Sequence, residues 1–166
     1  MSKFVLLACL IGFIALAPQS RADDVVSLDG KTKQYRLTLQ IGPTETMYSA
    51  AEAKAKSPTS GEVMLSGKMA GGMTGMMAMS GMRHVELHVY SLATGKVVTD
   101  ARVTIALTGS DKKRHTVPVA RMYGVTEGPD DLHYGNNVML SPGAYTVDAT
   151  VNGEAARFSV TVPGGS

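Results

Sequence analysis

Apolar and polar positions alternate with period two along most of this chain, and that alternation predicts strands. Tyr35, Leu37, Leu39 and Ile41 oppose Arg36, Thr38 and Gln40, so a strand is expected over 35–41, closed by Gly42-Pro43. A short helix is expected within Glu45 to Lys56, ended by Ser57-Pro58-Thr59-Ser60-Gly61, and a short strand from Glu62 to Leu65. From residue 84 the alternation is regular. His84 to Tyr90 forms a strand, and Ala93-Thr94-Gly95-Lys96 turns the chain. Val103, Ile105 and Leu107 share a face before a turn at Thr108-Gly109-Ser110-Asp111. His115 to Arg121 is strand-like, but Pro118 lacks a backbone donor and demotes it to an edge. His133 to Leu140 comes next, then a turn at Ser141-Pro142-Gly143. Tyr145, Val147, Ala149 and Val151 share a face, Asn152-Gly153 is a hairpin turn, and Phe158, Val160 and Val162 complete the last strand. About seven short strands with regular turns predict an all-β, immunoglobulin-like sandwich carrying a Met/Gly-rich loop. Its core is expected from Leu37, Leu39, Val85, Leu87, Val89, Val103, Ile105, Leu107, Val117, Val119, Tyr145, Val147, Phe158 and Val160.

The N-terminus follows a different pattern. Lys3 precedes an almost unbroken apolar run from Phe4 to Ala17, and Ser20-Arg21-Ala22 places small residues three before and one before a cut. That layout is a secretory signal peptide, over residues 1–22, and the run is shorter than the ~20 residues a membrane-spanning helix needs. The expected organisation is a signal peptide, a polar leader at 23–33, one β-sandwich domain at 34–163 and a tail at 164–166. Export implies a periplasmic protein. Leu6-Leu7-Ala8-Cys9 has the form of a lipoprotein box, but it sits early, with the apolar run continuing after it, and Cys9 is read as part of the signal core. The mature chain then has no cysteine, which excludes disulfides, thiolate ligands and a cysteine nucleophile.

Cleavage removes Lys3 and Arg21 from the 16 basic residues and leaves 14 against 14 acidic ones. A near-neutral protein argues against nucleic acid or an anionic membrane surface as a partner. The chain has no nucleophile elbow, no phosphate loop and no helical HExxH, and Asp130-Asp131 would diverge on a loop, so no enzyme is expected.

Three clusters carry chemistry. Six methionines fall within residues 69–82 (Met69, Met73, Met76, Met77, Met79, Met82), whereas the rest of the mature chain has only Met47, Met64, Met122 and Met139. A thioether is soft, neutral and never protonated, so it suits Cu(I). The alternative is gap-filling or an adaptable binding surface, but the neighbours here are Gly, Ala, Ser and Thr. The second cluster is His84-Val85-Glu86-Leu87-His88. On a strand His84, Glu86 and His88 point one way and Val85 and Leu87 the other. That row is either a mixed imidazole–carboxylate ligand set for copper, with iron as a second candidate, or a solvated strand face. The third is Asp130-Asp131-Leu132-His133-Tyr134-Gly135-Asn136-Asn137, where His133 opens a strand after an acidic loop. Loops gather such residues for turn chemistry as well. His115 has no cluster around it and is read as structural.

The order of these pieces resembles the bacterial periplasmic iron-uptake family of copper-binding β-sandwich proteins. The resemblance runs over roughly residues 35–151, through Ala70-Gly71-Gly72-Met73, His84-Val85-Glu86, Met122, His133-Tyr134-Gly135-Asn136-Asn137 and Gly143-Ala144-Tyr145. It implies a homodimeric sandwich holding copper through His84, Glu86, Met122 and His133, handling iron as well, and working with an inner-membrane permease. The family completes its site with a His in the tail. Here that region reads Val151-Asn152-Gly153-Glu154-Ala155-Ala156-Arg157-Phe158, so Met82 or another loop methionine, Met73, Met76, Met77 or Met79, is the candidate to fill the position, with His88 a further candidate ligand from the strand row. The expected function is periplasmic binding of copper, Cu(I) or Cu(II), or of iron, in uptake or delivery. The alternatives are a copper chaperone that passes its ion to a copper-receiving protein for oxidase assembly or resistance, and an interaction module that uses no metal.

Overall fold

The computed structural model describes residues 25–67 and 81–164. Signal-peptide cleavage after Ala22 and the methionines Met69, Met73, Met76, Met77 and Met79 lie outside the described residues. No described helix is long and apolar enough to cross a membrane.

Two sheets stack face to face. β1 (Val26–Lys31), β2 (Tyr35–Pro43), β5 (Met82–Ser91), β9 (His133–Met139), β8 (Ala120–Gly124), β4 (Glu62–Ser66) and β3 (Met47–Ser49) lie side by side in that order, forming the larger sheet. β11 (Glu154–Val162), β10 (Gly143–Val151), β6 (Val103–Gly109) and β7 (Arg114–Val117) form the smaller one. All pairings are antiparallel except β3 with β4. Between the sheets lies the apolar core, with Leu37, Leu39 and Ile41 of β2 and Val85, Leu87 and Val89 of β5 against Ile105, Leu107, Val147, Phe158 and Val160. Period-two alternation places these residues on the inner face and commits the even-numbered residues of β2 and β5 to the outer one.

The expected all-β sandwich is present, with eleven strands among the described residues where the pattern predicts about seven. Each extra strand has a physical reason. Residues 26–31, expected as a polar leader, form β1, whose backbone pairs with β2 from Val26↔Ile41 to Lys31↔Arg36. The segment from Glu45 divides: Met47–Ser49 pairs with Glu62–Met64, and the helix α1 (Ala50–Lys56) starts only at Ser49, whose hydroxyl accepts from the Glu52 amide in a capping box. The single strand expected over 115–121 divides at Pro118. Its first half is the edge strand β7 of the small sheet, and its second half is β8 of the large sheet. Val103 and Val119 are half-buried against the core rather than inside it, and Tyr134, Leu140 and Val162 join it. At Asn152-Gly153 both φ angles are positive, 51° and 88°, as the tight hairpin requires.

Candidate metal centre

The outer face of the large sheet is where the chemistry collects. Cross-strand partners share a face, so the register reads the site out directly. On β5, Glu86 lies opposite Gln40 of β2 and Gly135 of β9, and His84 lies opposite Asn137. On the other side of β9, His133 lies opposite Met122, which lies opposite Met64 of β4, while Glu62 lies opposite Gly124. Three of the chain's four histidines therefore converge on this face with two glutamates, from strands β4, β5 and β9.

This face is not a solvated strand surface. His84, His88, His133 and Glu62 are all buried, His133 at 0% exposure. A cavity of about 380 Å³ is lined by Glu62, His84, Glu86 and His88 together with Glu45, Glu127 and Asp131.

Distances give the shape. His133 Nε2 is 3.3 Å from both Glu62 Oε2 and Glu86 Oε2, and His84 Nε2 is 3.6 Å from Glu86 Oε2. One ligand atom from each of the four residues lies within 4.8 Å of all the others. A tetrahedral ion with bonds of ~2.0–2.1 Å spaces its ligand atoms about 3.3–3.4 Å apart, so these separations suit one ion at the centre.

Neighbouring groups fix which nitrogens face inward. Asn137 Oδ1 accepts the Glu45 amide at 3.2 Å and lies 3.0 Å from His84 Nδ1, so it acts as an acceptor and His84 presents a bare Nε2. His133 Nδ1 donates to the Asp131 main-chain oxygen at 2.9 Å, which aims its Nε2 at the glutamates. Such outer partners are what orient metal-binding imidazoles. Despite these anchors, Glu62 Oε2, His84 Nε2 and His133 Nε2 are buried without a well-formed hydrogen bond, Glu62 Oε2 and His133 Nε2 meeting only as an ion pair at 3.3 Å. Unsatisfied buried polar atoms are uncommon, and three facing one point is the pattern an ion would satisfy.

The protonation states follow from the same crowding. Burial opposes a charge on His133, but the Glu62 and Glu86 carboxylates and the Asp131 carbonyl outweigh it and raise its pKa to about 9. Burial also opposes ionisation of Glu86, yet His88, His133 and His84 together hold it at about 2. For His84, burial outweighs the pull of Glu86 and Glu62 and pushes the pKa down, so the ring stays neutral. Burial, reinforced by Glu62, Glu86 and Glu127, raises Glu45 at the rim.

Of the residues expected from sequence, His84, Glu86 and His133 meet at the centre, and His88 lies beside it with Nε2 3.4 Å from Glu86 Oε1. Met122 shares the face, but its side chain packs with Met47, Ala120 and Met64 in a small apolar cluster. Met82 is one step further along β5, opposite Met139, and Glu62 lies beside His133. The tail region 151–158 belongs to the small sheet, on the far side of the core. His115 lies on that sheet too, edge-on to Tyr145. Glu62 and Asp131 were not among the expected ligands. Asp131 stood in the acidic loop before His133, but nothing local to residue 62 marks it.

No protein-family model matches this chain, and no curated protein matches it. Among solved structures it is similar to a DUF4426 family protein from Pseudomonas aeruginosa PAO1, at 12% identity and a TM-score of 0.47, over 81% of this chain and 91% of that one. A likeness this distant says nothing of the site's chemistry.

Proposed function

We propose that this protein binds a divalent first-row transition-metal ion, copper(II) foremost, in the periplasm, and serves metal uptake or delivery. The observation that carries the reading is the set of buried atoms without a well-formed hydrogen bond, Glu62 Oε2, His84 Nε2 and His133 Nε2, closing on Glu86 Oε2. Two imidazoles and two carboxylates form a borderline ligand set that suits Cu(II), Zn(II) and Fe(II) and disfavours Ca(II), and among the first three Cu(II) binds such a set most tightly. When bound, the ion neutralises the carboxylates of the buried Glu62 and the half-buried Glu86. The cavity and its acidic rim suit exchange of the ion rather than permanent burial.

The test is titration of the metal-free chain with Cu(II), Zn(II) and Fe(II), with electron paramagnetic resonance of the copper form. Nitrogen hyperfine coupling from two imidazoles is expected, and Glu62→Gln and His84→Ala should each weaken binding. Absence of binding by all three ions, or binding that neither variant alters, would overturn the reading in favour of a module that uses no metal.

A further inference from the structure

Among the described residues a fourth buried atom lacks a hydrogen-bond partner, and the centre above does not use it: His88 Nδ1. The His88 side chain is 5% exposed, so this nitrogen is cut off from water. It points at a carboxylate. Asp131 Oδ1 is 3.6 Å away, and the other oxygen, Oδ2, is 3.7 Å from His133 Nδ1. His88, Asp131 and His133 each bring one ligand atom within 4.8 Å of the others.

The local structure prepares this spot. His88 Nε2 lies between Glu86 Oε1 at 3.4 Å and the Gln40 amide nitrogen at 3.5 Å, which holds the ring with its Nδ1 facing Asp131. Asp131 closes the 3-10 turn Pro129–Asp131, whose main-chain oxygen is tied to His133. Gly124 leaves room beside it for the Glu127 carboxylate, which a β-carbon would push aside, while Asp131 Oδ2 would stay in ordinary contact at 3.5 Å.

We propose, resting on the metal-binding reading above, that the protein holds a second ion outside the first, ligated by His88 Nδ1 and the Asp131 carboxylate with Glu127 at the rim. The ion is again a borderline divalent cation such as Zn(II) or Cu(II), because the donors are imidazole and carboxylate. Few protein donors leave its other coordination positions to water, so it binds more weakly and exchanges faster than the inner ion. Glu86 links the two positions, with Oε1 towards His88 and Oε2 towards His133 and His84.

Zn(II) titrated into the intact metal-free chain by calorimetry, with metal content measured after desalting, tests this. Two ions per chain are expected, the second weaker by roughly tenfold or more. His88→Gln and Asp131→Asn should each reduce the count to one and leave the tight step within a few-fold of the parent. Circular dichroism checks the fold, and if His88→Gln is misfolded, Asp131→Asn at the half-exposed rim decides. A single ion in the parent, removed by Glu62→Gln, would overturn the second position and leave the first. Two ions that survive Asp131→Asn would overturn it as well, and no ion at all would overturn both.

Discussion

His133 has opposite tasks at its two nitrogens: Nδ1 is committed to the Asp131 carbonyl, and Nε2 carries either a proton or an ion. Its pKa, raised from 6.5 to about 9, makes the metal-free protein's stability depend on pH in a stated direction. Between those values the folded chain holds a proton that the unfolded chain has lost. Stability from this group is therefore complete below pH 6.5 and declines as pH rises towards about 9. The loss should be about 3 kcal/mol in urea unfolding of chelator-treated protein. His84, with its depressed pKa, is neutral when folded and loses its unfolded-state charge as pH rises past 6.5, so it does not mask the slope in the upper part of that window. With metal bound, the ion replaces the proton and the slope should flatten. Asn137→Ala should weaken metal binding ~10–100-fold by calorimetry, since it frees the His84 ring and the Glu45 backbone together. The pairing of His84 with Glu86 could be read from strand parity alone, because parity is a local property. Glu62 could not, because its place beside His133 depends on how β4, β8 and β9 align.

Strand register turns this face into a site, and Gly135 shows how little slack it has. A β-carbon there would run into the Val85 carbonyl and come within 2.8 Å of Glu86 Cα, so only glycine lets β5 and β9 pair at this point. Gly135→Ala should both destabilise the fold and shift Glu86. A lowered denaturation midpoint with metal affinity reduced well beyond that of a neutral surface variant is the expected result. The period-two pattern located the core-forming strands β2, β5, β6, β10 and β11, each with one apolar face. It passed over β1, where Val26 and Leu28 alternate with Ser27 and Asp29 in only a short run ending at Gly30 and Lys31. It also reads residues 115–121 as one strand, with Pro118 only demoting it to an edge. A proline forbids a ladder bond at its own position, but whether the chain then stops or changes sheets is decided by the partners on either side.

Taken whole, the molecule is a sandwich whose two sheets have different duties. The small sheet walls off the core, and the outer face of the large one holds the ligands. Ile105, at 0% exposure, contributes only to the wall, so Ile105→Ala should cost ~2–5 kcal/mol in denaturant unfolding and leave metal affinity unchanged. An ion bound only by the folded chain should raise the melting temperature. At a thousandfold excess over Kd the gain is about 4 kcal/mol, and a chelator should reverse it. The separation of duties also bears on the order of events in the life of the chain. Glu62, His84, Glu86 and His133 are spread over much of the sequence, and they meet only after β4 has docked on β8 and β8 on β9. Such distant pairings close late in folding. A chain still emerging from a ribosome or threading through a translocase has no place for the ion. On the proposed metal-binding reading, the ion is therefore acquired by the finished protein, in whatever compartment it finishes folding, and the choice of ion is made there.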